Sequence, residues 1–394
     1  MIVAGHLCLD VIPELSGRFD FVPGTMVSAG PVRVSTGGAV SNTGLSLHRL
    51  GAEVRLIARI GDDPFGKLVR ERIEGEGAGL ARSLVASPET GTSYTVILSP
   101  PGEDRMFIHY PGANATFSSK NLPERLPEAA LFHFGYPQVM RRFYEDGGGE
   151  LRRLFQRARS AGMTTSLDTC FPDLYSESGK ADWSAIFEEA LPAVDVFIPS
   201  LEEALVMLEP DRHLQQAFTD TSALANTPLE EIRSFCERLL GMGVAVAGMK
   251  CGSRGLYLRT APAERLKRAG QVFSREDLPS WADRELWGSP FEVEVKGAVG
   301  AGDAAYAGLL FGLTRGMYPE EALTAACAAG ASSVEAADAT SGVKSWEETR
   351  RRIEGGWRRG SEGPVGWSTS SIEGVWLGPA DSSWHRPEPI RRYR

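Results

Sequence analysis

The chain has 394 residues, which at about 150 residues per domain allows one large domain or two ordinary ones. Apolar residues make up 42% and charged ones 24%, a composition that excludes a disordered or fibrous chain, and no apolar run reaches the length of a membrane span. With 42 Lys and Arg against 51 Asp and Glu the net charge is −9, so neither nucleic acid nor an anionic membrane surface is an expected partner.

The chain opens on an apolar run without a basic leader or cleavage site, and its five cysteines, Cys8, Cys170, Cys236, Cys251 and Cys327, are scattered and never form a C-x-x-C pair. Both features fit a reducing, cytoplasmic location and argue against a zinc site. Residues 2–8, 54–60, 130–134, 164–167, 194–198, 244–250 and 255–258 read as strands, mostly apolar on both faces, as in a parallel sheet covered by helices. Residues 11–36 hold short β segments broken by Pro13, Gly17, Pro23, Gly24, Gly30 and Pro31, and residues 93–98 and 105–110 read as a hairpin. The two segments, about 11–36 and 92–112, fit a small β-sheet lid.

Helices show equally clear signals. Asp63 precedes Pro64 as a cap precedes a first-turn proline, and Leu151, Leu154, Phe155 and Ala158 form one apolar stripe. Ile232, Phe235, Cys236, Leu239 and Leu240 form another. The strand–helix alternation predicts an α/β fold with a doubly wound, mostly parallel sheet. Residues 260–290 lack a period and read as a surface excursion, whereas 291–295 read as a strand. Residues 1–354 are expected to form one domain and 355–394 a C-terminal extension. Four of the eight tryptophans lie in that extension, so it is expected to wrap onto the body or a partner subunit.

The strongest chemical signal is Gly297-Ala298-Val299-Gly300-Ala301-Gly302-Asp303, a glycine-rich turn that opens a helix over 304–313. Backbone N–H groups and the helix dipole make such a turn an anion cradle, and an aspartate inside one suits proton abstraction from an attacking hydroxyl. Alone, such a turn is as readily a tight connection. Gly37-Gly38-Ala39-Val40-Ser41-Asn42 is a second loop-to-helix turn, where a ligand can approach closely and the Asn42 amide can both donate and accept. Asp168 stands at a strand end, where it can face a ligand or cap the turn. The six histidines show no metal-ligand spacing.

Together with Gly5…Asp10, Gly61-Asp62-Asp63-Pro64-Phe65-Gly66, Arg105…Gly112-Ala113-Asn114 and Gly252-Ser253-Arg254-Gly255, these motifs, in this order, resemble the ribokinase-like, or PfkB, family of carbohydrate kinases. The resemblance spans Gly5 to about Gly342. It implies an ATP- and Mg2+-dependent transfer of a phosphoryl group to a hydroxyl of a sugar or sugar acid, with a homodimer formed through the lids. Asp303 would be the general base and the backbone of Gly300, Ala301 and Gly302 the anion hole. Asp10, Gly37, Gly38, Asn42, Arg105, Asn114 and Asp168 would bind the acceptor. Gly252, Gly255, Thr340 and Gly342 would bind the nucleotide, and Glu203 would act on the metal through water.

Two positions depart from the family pattern. Gly297, Ala298 and Val299 stand where an Asp-Thr-Thr is common, so potassium activation is expected to be weak or absent. Ser200 replaces the asparagine that precedes Glu203. Two other functions fit the same motifs. One is a nucleoside kinase, for which Phe19, Phe21, Phe107 and Tyr110 are candidate stacking residues. The other is a non-catalytic sugar- or nucleotide-binding regulator.

Overall fold

The apolar runs of the first two thirds of the chain assemble into the parallel half of a ten-stranded sheet. The parallel strands run in the order Arg55–Ile57, Ile2–Gly5, Leu131–Gly135, Thr164–Asp168, Val196–Phe197 and Val246–Lys250. Leu256–Thr260, Glu285–Gly288, Val375–Leu377 and Ser368–Thr369 continue it antiparallel. The computed structural model describes residues 1–17, 22–101, 106–219, 225–273, 278–360 and 362–381.

Side chains alternate across the sheet, so Val3 enters one core and Ile2 and Ala4 the other. The first core is roofed by the helices Ala39–Arg49, Ala301–Thr314 and Pro319–Val334, the second by Gly149–Ser160, Trp183–Ala190, Leu201–Leu208 and Leu229–Gly241. Helices on both faces explain why the central strands are apolar throughout.

Cys8–Pro13, Val32–Gly37, Tyr94–Leu98 and Met106–Tyr110 form a separate four-stranded sheet, the expected lid. Residues 2–8 are therefore not one strand. The chain breaks at His6-Leu7, where Gly5 adopts φ 131° and lies so close to the Gly135 carbonyl that a Cβ would stand 2.4 Å from it. Its first half joins the main sheet and its second half carries Asp10 into the lid. The run 54–60 divides likewise, into Arg55–Ile57 of the main sheet and Arg59–Gly61, which pairs with Val85–Ser87.

Two expectations need correction. Residues 260–290 are no surface excursion, because Glu285–Gly288 is a fully buried strand of the main sheet. Its polar ends mislead because their partners are distant in sequence: Glu285 meets Arg233 and Tyr257, and Arg284 meets Glu320 and Asp381. Residues 291–295 form no strand beyond one bridge between Phe291 and Arg359. Over residues 355–360 and 362–381 the closing segment lies on the body, and its strand Val375–Leu377 pairs with Glu285–Gly288. Among the described residues no helix is long and apolar enough to cross a membrane.

Candidate active site

The carboxyl ends of the parallel strands deliver a row of chemically capable residues, as open α/β sheets do. Gly135 lies level with Asp168, and Ser200 with Lys250. Above this row two helices begin. Gly38, φ 86°, starts Ala39–Arg49, and Gly300, φ 74°, starts Ala301–Thr314. Both are left-handed positions that glycine adopts without cost. The second helix begins three residues before the expected 304, which puts Asp303 in its first turn.

Asp303 is buried and fully partnered. Asn42 Nδ2 donates to Oδ2 at 3.1 Å, Thr43 Oγ1 donates to Oδ1 at 3.1 Å, and the Tyr136 hydroxyl lies 2.8 and 2.7 Å from the two oxygens. Tyr136 reaches the carboxylate from an unusual backbone, φ 70°, directly after the strand Leu131–Gly135. Such strain in a non-glycine residue gathers at functional sites. Among the described residues Asn42 Oδ1 is buried without a partner, an acceptor left for a ligand hydroxyl.

Asp10 lies on the lid side of the same region. Gly37 packs so tightly on it that a Cβ would stand 2.2 Å from Oδ2. Burial pushes its carboxyl up to about 6, although the Cys8 thiol, donating to Oδ1 at 3.3 Å, and the Thr95 hydroxyl pull the other way. A cavity of about 300 Å³ joins Asp10, Arg33, Ser35 and Ser99 of the lid region to Lys296, Gly297, Ala298 and Val299.

Asp168 is fully buried, its Oδ1 accepting from Lys250 Nζ at 2.8 Å and from the Thr169 N–H at 2.9 Å, while Oδ2 has no partner among the described residues. Burial raises its carboxyl above the ordinary range, Lys250 opposes that, and Asp303 and Glu203 add to it. Glu203 accepts from Thr169 Oγ1 at 2.7 Å and forms a reciprocal cap with Ser200.

Other sequence candidates sit elsewhere. Asn114 spends its amide on the backbone of Leu7, donating to its carbonyl at 2.8 Å and accepting from its N–H at 3.4 Å, so it ties the lid to the connection before Asp10. The loop of Thr340 and Gly342 packs on the glycine turn, where a Cβ on Gly300 would meet that of Ala339 at 2.5 Å, and Ala337–Ser341 line a cavity with lid residues Ile12 and Arg33. Gly252, φ 55°, faces open space, whereas Gly255 abuts the Gly288 carbonyl. Arg105, Phe19 and Phe21 lie outside the described residues. Phe107 is 58% exposed on the lid.

Sequence reasoning missed Thr43 and Lys250. Thr43 follows Asn42 around the helix, and Lys250 is the lone charge ending a strand otherwise apolar, a signal that was available.

A pfkB family carbohydrate kinase profile matches residues 1–346. An uncharacterized sugar kinase of Archaeoglobus fulgidus is 24% identical over 278 residues, 70% of this chain and 89% of that one. A fructokinase of Vibrio alginolyticus is 24% identical over 317 residues, covering 79% and 83%. The structure of Arabidopsis thaliana ribokinase complexed with ribose and ATP superposes with a TM-score of 0.65 at 19% identity, over 90% of this chain and 98% of that one. The fold, the order of the motifs and the family match agree, and the chain belongs to the pfkB family of carbohydrate kinases, ATP-dependent phosphotransferases with an alcohol group as acceptor.

Proposed function

We propose that the protein transfers the γ-phosphoryl group of Mg-ATP to a hydroxyl of a sugar or sugar acid. The observation that carries this reading is the Asp303 carboxylate, buried at a helix start and fixed by Asn42, Thr43 and Tyr136 beside the glycine turn. In the transfer, Asp303 takes the acceptor's proton, the new oxygen–phosphorus bond forms, and the bond to the β–γ bridging oxygen breaks with its electron pair leaving on ADP. The first-turn N–H groups of a helix have no intrahelical acceptor, so those at Gly300, Ala301 and Gly302 are suited to the transferring charge.

Asp10, Gly37, Gly38 and Asn42 hold the acceptor, and the orphaned Asn42 Oδ1 supports this. Gly252, Gly255, Thr340 and Gly342 carry the nucleotide, the loop of Thr340 and Gly342 lying beside the glycine turn through Ala339. The unpaired Asp168 Oδ2, with Glu203 nearby, offers oxygen donors that suit Mg2+, which when bound neutralises phosphate charge. Without side-chain oxygens at Gly297, Ala298 and Val299, rates in potassium and in sodium should match. The protein is cytoplasmic in this reading. The apolar lid surface of Val32, Met106, Phe107 and Ile108 favours a homodimer, to be read as mass in solution.

The test is Mg-ATP turnover against hexoses, pentoses, sugar acids, sugar phosphates and nucleosides. Phosphorylation of a sugar or sugar acid supports the reading. Turnover of nucleosides alone would change the acceptor class, and ligand binding without turnover would make the protein a regulator.

A further inference from the structure

We propose that Lys250 is a catalytic residue of the transfer step, its ammonium placed to contact the transferring phosphoryl group. The inference rests on the reading of Asp303 as base and names a residue that reading does not use.

Lys250 ends the strand Val246–Lys250 immediately before the Gly252 loop, its N–H held by the Pro199 carbonyl at 2.9 Å. Its side chain is 10% exposed. Nζ lies 2.8 Å from Asp168 Oδ1 and 5.4 Å from the centre of the Tyr306 ring, and a Cβ added to Gly302 would stand 3.5 Å from it. Gly302 belongs to the turn beside Asp303, and its missing side chain leaves the ammonium adjacent to that turn. The lysine therefore stands between the proposed nucleotide loop and the proposed base, on the path the phosphoryl group travels.

Its bonding leaves capacity for a ligand. An ammonium has three N–H donors, and among the described residues one acceptor, Asp168 Oδ1, takes a hydrogen bond from it. Asp168, Glu203 and Asp303 all act on it electrostatically. Holding a buried lysine in place needs only one such carboxylate. Glu203 and Asp303 take no hydrogen bond from the ammonium among the described residues, so two of its N–H donors stay open, and hydrogen bonds from an ammonium to phosphate oxygens are charge-assisted.

Lys250 stays protonated throughout the step. It donates hydrogen bonds to non-bridging oxygens of the phosphoryl group while the acceptor's proton goes to Asp303 and the electron pair of the broken bond leaves on ADP. Asp168 is the positioning residue that aims it.

Lys250→Met keeps the length of the side chain and removes the charge. On an acceptor that the native protein phosphorylates, kcat should fall about 10²–10³-fold, the range for losing one preorganised donor. The acceptor KM, and ADP affinity by calorimetry, should stay within about threefold. The double variant Lys250→Met with Asp168→Asn leaves no uncompensated buried carboxylate at the pair, so it also serves where the single variant fails to fold. Because Asp168 also offers an oxygen to Mg2+, the double variant is read against Asp168→Asn alone: a further fall of about tenfold or more supports the proposal, and no further fall overturns it. Activity restored to within about tenfold of native would make Lys250 a counter-ion only and overturn it. A single variant within about threefold of native would overturn it equally. If the native protein phosphorylates nothing in the panel, the kinase reading itself fails, and this proposal with it.

Discussion

Asp10 shows burial and chemistry opposed in one side chain. Its carboxyl holds its proton up to about pH 6 in the folded chain, against an ordinary value of 3.8, with burial the first cause. A carboxylate must be ionised to accept two hydroxyls, so acceptor KM should rise as pH falls through about 6, measured as a KM–pH profile. Because the folded-state pKa is raised, ionisation costs stability fully above pH 6, and that cost disappears as pH falls below the unfolded value. Asp10→Asn should therefore raise the melting temperature at pH 8, by an amount equivalent to about 2–3 kcal/mol at most, and change it little near pH 3.5, while weakening acceptor binding. Equal shifts at both pH values would contradict this. The residues legible from sequence, Asp10, Asn42 and Asp303, carry motif spacing. Thr43, beside Asn42 on the same helix, carries no motif of its own, and Tyr136 and Lys250 are brought in by tertiary packing, Tyr136 from 167 positions away in sequence from Asp303.

At the scale of elements, local chemistry reads well where it is self-contained. Asp63, expected as a cap, accepts from the Gly66 N–H at 2.7 Å and starts the helix Pro64–Glu76. It also accepts from the Thr92 N–H and hydroxyl, each at 2.7 Å, which ties this helix to the lid region, a long-range link no local pattern announces. Slight burial pushes its carboxyl up, but the bonds from Thr92, Gly66 and Phe65 outweigh it and the net direction is down. The stability it contributes is present above the ordinary carboxylate range and is lost as pH falls through the depressed folded value. Asp63→Ala should cost about 1–2 kcal/mol in urea unfolding at pH 7 and far less near pH 2. A pH-independent cost would contradict the hydrogen-bond account. The strand Glu285–Gly288 is illegible for the opposite reason: four residues are too few to show a period, and Glu285 at their head has a polar partner 96 positions distant.

At the scale of the molecule, the closing segment completes the fold. Its tryptophan content was a sound signal of contact, and Trp357 packs on Phe291 with ring centres 4.4 Å apart while Trp376 Nε1 donates to Ser289 Oγ at 3.1 Å. Its fixing point is Asp381, which pairs with buried Arg284 at 3.0 Å and accepts from the Glu285 N–H at 2.9 Å. Arg284 also pairs with Glu320 on the helix Pro319–Val334, so sheet, helix and closing segment meet at one guanidinium. Asp381→Ala should cost about 3 kcal/mol, read as the shift in urea midpoint, because it strips a partner from a buried cation. A cost below about 1 kcal/mol would mean the segment is dispensable to the body. Fold class was legible because strand–helix rhythm is a whole-chain property, whereas this edge of the sheet was not. The most direct test of the central claim compares native protein with Asp303→Asn on an acceptor the native protein phosphorylates. Turnover should drop about 10²–10⁴-fold with ATP affinity unchanged. Turnover within a few-fold of native would remove Asp303 from the chemistry and contradict the account.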